Sequence, residues 1–107
     1  MTQTQKSRRE VLESFLEKNP SDAFARYGLA LECAKTGQDS AAMENFQKLI
    51  ESHPAYVAGY FQYAQLLVRL GRIDEARRAL EAGIAAAQKA GDTHAREEMA
   101  ATLESLA

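Results

Sequence analysis

At 107 residues the chain is a single domain, long enough to bury roughly 65% of the surface its unfolded form exposes. Its 46% apolar and 26% charged content is that of a soluble globular protein, and a formal charge of −2 gives no broad field to gather nucleic acid or anionic lipid. Cys33 is alone, so no intrachain disulfide can form, and no apolar run approaches the roughly 18 residues of a membrane span. A cytoplasmic, reducing location without membrane is the expectation, supported by the polar start from Met1 to Lys6.

Residues 1–6 read as a disordered tail. Ser7 and Glu10 then fit a capping box, in which each side chain satisfies the other's backbone donor. Val11, Leu12, Phe15 and Leu16 form one stripe, predicting a first helix over about 7–18. Asn19 precedes Pro20 and is pushed out of helical geometry, which ends the helix. Pro20, Ser21 and Asp22 are start signals for a second helix over about 22–36. Gly37 closes it at little cost in the left-handed conformation.

A third helix spans about 40–52, with Ala42, Phe46, Leu49 and Ile50 on one face. His53-Pro54 ends it as Asn19-Pro20 ends the first. The fourth covers about 55–70 and is closed by Gly71. Asp74 is a candidate N-cap for the fifth, whose stripe is Ala76, Leu80, Gly83, Ile84 and Ala87. That helix is expected to continue to Ala90, because Gln88 stands where a third proline would fall. Gly91-Asp92-Thr93 restarts the chain. Ala95, Met99, Leu103 and Leu106 mark a sixth helix at about 94–106. No stretch alternates with the period of two that a strand needs.

A fixed step of 34 residues runs through these elements. Leu12, Phe46 and Leu80 obey it, as do Leu16, Ile50 and Ile84. So do the pairs Pro20 and Pro54, Leu29 and Tyr63, Ala30 and Ala64, Gly37 and Gly71, and Ala42 and Ala76. Such a step marks a helical array in which each unit buries its apolar face on its neighbours.

These residues resemble the tetratricopeptide repeat. One repeat would cover 23–56, with Leu29-Ala30, Cys33, Gly37, Ala42, Phe46 and Pro54 at the family spacing. A second would cover 57–90, with Tyr60, Tyr63-Ala64, Leu67, Gly71, Ala76 and Leu80. Arg26 departs from the large apolar residue common in the family, and Asp39 from an aromatic in the turn. The helix at 7–18 resembles the trailing half of a preceding unit. The helix at 94–106 resembles a leading helix displaced by two residues, since Ala64 to Ala100 is 36. The implied fold is all-α, a right-handed solenoid of about six antiparallel helices in which the two half repeats stop further stacking.

The resemblance also implies a site, because leading helices in this family line a concave groove for an extended or helical peptide. Carried over by position, its lining here would be Phe24, Tyr27, Leu31 and Lys35, with Phe61, Gln65, Val68 and Arg69. Helix four would add Ala58 to the lining, and the cap helix His94, Glu97 and Ala101. The clamp that some relatives use for a C-terminal carboxylate would fall on Tyr27, Leu31, Gln62, His94 and Glu98, which offer no strong donor and one repelling charge.

Other chemistry has little to build on. His53 and His94 lie in no zinc spacing, Cys33 falls at a packing position, and the glycines are single turn residues. Arg69, Arg72, Arg77 and Arg78 lie among Asp74, Glu75 and Glu81 and read as a solvated, partly paired face. The expectation is a non-enzymatic protein-binding module, without cofactor or metal, monomeric or weakly homo-oligomeric. The alternative is a structural module that self-associates.

Overall fold

The structure, a computed structural model, describes residues 6–106. The tail expected over residues 1–6 therefore lies outside the described residues, except for Lys6. Six helices follow in chain order: α1 (Arg8–Lys18), α2 (Ala23–Lys35), α3 (Asp39–Ser52), α4 (Val57–Arg69), α5 (Ile73–Ala90) and α6 (Thr93–Ser105). No strand occurs among the described residues. Each helix packs on the next, with lesser contacts between α2 and α4 and between α4 and α6. The result is an elongated solenoid, 55 × 28 × 20 Å along its principal axes.

The helices are joined by two kinds of corner. After α2, α4 and α5 the chain turns through Gly37, Gly71 and Gly91 at φ of 77°, 76° and 71°, the left-handed region where a Cβ is costly. The next amide then bonds back five residues: Gln38 to the Cys33 carbonyl at 2.8 Å, Arg72 to Leu67 at 2.8 Å and Asp92 to Ala87 at 2.9 Å. This backbone closure lets the following helix begin almost at once. It displaces the expected cap of α5, because the N-cap is Arg72 and Asp74 lies inside the first turn. There Asp74 favours the positive helix end and pairs with Arg77 at 3.5 Å.

The proline corners after α1 and α3 are wider. The Asp22 amide bonds the Asn19 carbonyl at 3.1 Å, and Tyr56 bonds His53 at 2.9 Å, one repeat step apart. Helix α1 opens on the full capping box of Ser7 and Glu10. Helix α2 is capped by Asp22, whose carboxylate accepts from the Ala25 amide at 2.8 Å.

The core follows the 34-residue step. Ala30, Ala42, Ala64 and Ala76 are fully buried where paired helices approach, and Phe46, Leu67 and Leu80 fill the spaces between pairs. The Phe46 and Tyr63 rings stack with centroids 5.8 Å apart. Gly83 sits so close to α4 that a Cβ there would lie 2.6 Å from the Tyr60 Cβ. Met99 of α6 is fully buried against the same spot.

One expected stripe is split. Leu16 is buried and Leu12 packs on Gly28, but Val11 and Phe15 are 53% and 46% exposed. They stand one helical turn apart on a side of α1 that no described helix covers. The departure at Arg26 has a local explanation. Its guanidinium donates to the Pro20 carbonyl at 3.3 Å, and one repeat on, the Tyr60 hydroxyl donates to the Pro54 carbonyl at 2.7 Å. Two different side chains make one bond. Asp39, the other departure, receives Arg69 at 3.0 Å.

Candidate functional site

The leading helices α2 and α4 touch each other along the array and enclose a shallow open cleft of about 360 Å³. Leu31, Ala34 and Lys35 line it from α2; Gln62, Gln65, Leu66 and Arg69 line it from α4. Phe46 of α3 closes its floor. The α4 set is spaced i, i+3, i+4 and i+7, a single helical stripe. The floor is apolar, the walls carry two carboxamides, and the end nearest the C-termini of both helices carries two cations.

Lys35 is exposed. Arg69 is held more firmly, because it donates to the Asp39 carboxylate at 3.0 Å and reaches the Ala34 carbonyl at 3.5 Å. Gln47 donates to the Tyr63 hydroxyl at 2.9 Å, which orients the ring stacked on Phe46. The floor is therefore fixed by packing and hydrogen bonds while the walls carry adaptable side chains.

Four of the residues expected to line the groove, Leu31, Lys35, Gln65 and Arg69, come together here. Phe24, Tyr27, Phe61 and Val68 are outside the lining. Phe24 is 77% exposed at the start of α2. Tyr27 is half-buried against Tyr56, with ring centroids 5.2 Å apart, and burial beside that ring pushes its hydroxyl above the ordinary range. Phe61 and Val68 pack their inner edges on the core. Ala34, Phe46 and Leu66 are lining residues that position-by-position transfer omitted, and Gln62 entered it only as a position of the carboxylate clamp. On α4, Gln62 and Leu66 share one i, i+3, i+4, i+7 stripe with Gln65 and Arg69.

The other chemistry-bearing residues are occupied by structure. Cys33 is fully buried, and burial raises its thiol pKa, the opposite of what a nucleophile needs. His53 caps α3, and its Nε2 lies 3.0 Å from the Ser21 carbonyl, tying the two proline corners together. Arg72 pairs with Glu75 at 2.8 Å and Arg77 with Asp74 at 3.5 Å. Among the described residues no three His, Cys, Asp or Glu side chains converge as a metal site, and no helix is long and apolar enough to cross a membrane.

Comparison with known proteins agrees with this architecture. The family model for the tetratricopeptide repeat matches residues 34–100. A TPR repeat-containing protein of Pseudomonas aeruginosa is 34% identical over 97 residues, spanning 91% of this chain and 92% of that one. The solution structure of a tetratricopeptide repeat domain protein from Salinibacter ruber superposes with a TM-score of 0.78 at 33% identity, over 81% of this chain and 88% of that chain. A Bordetella parapertussis protein superposes with a TM-score of 0.80 at 27% identity, over 95% and 89% of the respective chains.

Proposed function

We propose a function on one premise: the chain belongs to the tetratricopeptide repeat family, whose fold is generally a protein-interaction module. Its role is non-enzymatic. It binds an extended or helical segment of a partner protein in the α2–α4 cleft, in the cytoplasm and without a cofactor. The observation that carries this reading is the convergence of Leu31, Lys35, Gln65 and Arg69 on one open cleft with an apolar floor.

An apolar side chain of the partner fills the space over Phe46, and Gln62 and Gln65 bond its backbone. Tyr27 and Phe61 stand one turn before Leu31 and Gln65 on the same helices, so they extend the contact toward the start of both. Phe24 and Val68 flank that extension. Lys35 and Arg69 favour an acidic residue at the opposite end. A rigid floor under adaptable walls keeps the ordering cost on binding low.

The test is capture of partners from lysate by the wild type and by the double variant Tyr27→Ala/Phe61→Ala, with far-UV circular dichroism to check the fold. Captured proteins that disappear with the variant are then titrated, as purified segments, into isotopically labelled protein. Shifts centred on Leu31, Ala34, Gln62 and Gln65 are expected. Undiminished capture by a folded double variant would remove the groove from the account.

A further inference from the structure

The half repeats, expected to end the stacking, instead leave the two ends of the described solenoid unfinished in complementary ways. In both complete units a trailing helix is covered by its own leading helix: α3 by α2 and α5 by α4. Two contacts define that pairing. Arg26 of α2 donates to Asn45 of α3 at 3.0 Å, and Tyr60 of α4 lies against Gly83 of α5. Helix α1 is a trailing helix whose leading partner is not among the described residues. Subtracting the repeat step from Asn45 gives Val11, and subtracting two steps from Gly83 gives Phe15. These are the two uncovered apolar residues of α1.

Helix α6 has the opposite need, being a leading helix with no trailing partner among the described residues. Met99 occupies the position of Leu29 and Tyr63 and is buried against the preceding unit. Ala100 occupies the position of Ala30 and Ala64, both 0% exposed, yet it is exposed. Its side of the helix is the one that Ala30 and Ala64 turn toward a trailing helix.

We propose that α6 of one copy docks on α1 of a second copy, completing a repeat across the joint and assembling the protein head to tail. In the internal register Arg96 takes the place of Arg26 and Tyr60, so its guanidinium lies over Phe15 and beside Val11 of the next copy. The antiparallel arrangement brings the start of α1, with Arg8 and Arg9, to the end of α6, where Glu104 stands one turn beyond Ala100. Arg8 occupies the position of Ala42 and Ala76, so the helices stand further apart at that end than within the chain. One helix on one helix also buries less than the roughly 800 Å² per partner of a standard interface, and the joint opens on dilution. Because the described helices leave one uncovered face of each kind, at α1 and at α6, the contact is heterologous and adds further copies rather than stopping at two.

Sedimentation velocity over increasing concentration of the whole protein is expected to give an average mass that climbs past that of a dimer. Phe15→Glu blocks the α1 end, and Ala100→Arg sets bulk and a like charge against Arg8 and blocks the α6 end. Both positions are exposed, so circular dichroism should match wild type. Each variant alone is expected to weaken association by about tenfold or more, as burying an unpaired charge requires. Mixed in equal amounts, they restore one intact joint and yield a dimer that grows no further. A mass fixed at one chain overturns the proposal. So does a dimer indifferent to Ala100→Arg, which would mean that α1 pairs with itself. Association that survives both end variants but is lost in Tyr27→Ala/Phe61→Ala would place the contact in the groove.

Discussion

Gly28 and Gly83 are both helical and both lie against a neighbouring helix, yet they should respond in opposite ways to alanine. A Cβ at Gly28 would meet only the Leu12 methyls, at 3.7 and 3.8 Å, which is ordinary contact. Gly28→Ala should therefore gain about 0.5–1 kcal/mol from reduced backbone freedom in the unfolded chain. At Gly83 the added carbon would lie 2.5 Å from the Met99 sulfur and 2.6 Å from the Tyr60 Cβ. The sulfur can swing away, but the Tyr60 Cβ is fixed to its backbone, so α5 must move off α4. Gly83→Ala should cost about 1–3 kcal/mol despite its better helix propensity, read from urea unfolding midpoints. Side-chain ionisation has a readable sign as well. Burial raises the Cys33 thiol above 9.0 and the hydroxyls of Tyr27, Tyr56 and Tyr60 above 10.0. Above those values the unfolded chain loses protons that the folded one keeps, so stability should fall as pH rises past about 9. Cys33→Ala should flatten the first part of that decline in unfolding free energy measured against pH.

Helix ends were legible where a side chain, a proline or a turn glycine marked them, whereas the start of α5, set by backbone geometry alone, was not. Ser7 and Glu10 announced α1, and Asn19-Pro20 and His53-Pro54 marked two corners. Asp74 misled because the Gly71 turn starts α5 through a backbone bond from Arg72 to Leu67, and no side chain signals it. A cap that does bond can be tested. Asp22→Ala removes the acceptor of the Ala25 amide and should cost about 1 kcal/mol, with faster hydrogen exchange confined to the first turn of α2. At the site, positional transfer from the family resemblance led to Leu31, Lys35, Gln65 and Arg69. It could not tell which neighbouring stripe on α4 turns toward α2, because that depends on how the pairs rotate about one another. Helix α1 shows the same limit. Its apolar stripe predicted burial of four residues, but only the half facing α2 has a partner among the described residues.

Across the molecule, stability is shared between adjacent units rather than held in one central core. Helix α6 illustrates the dependence, since its fully buried Met99 packs against Gly83, beside Tyr60. Arg77 of α5 also donates to the Leu106 carbonyl, fastening the end of α6. A chain ended at Gly91 should therefore lose at least about 2 kcal/mol, the cost of uncovering a buried methionine. Its circular dichroism should fall by more than the 13 residues of α6 account for, because the end of α5 frays with it. The packing of each helix on its immediate successor has a further consequence during synthesis. As the chain emerges from the ribosome, every new rod finds its docking partner already outside the tunnel, so no nascent surface waits for a distant segment.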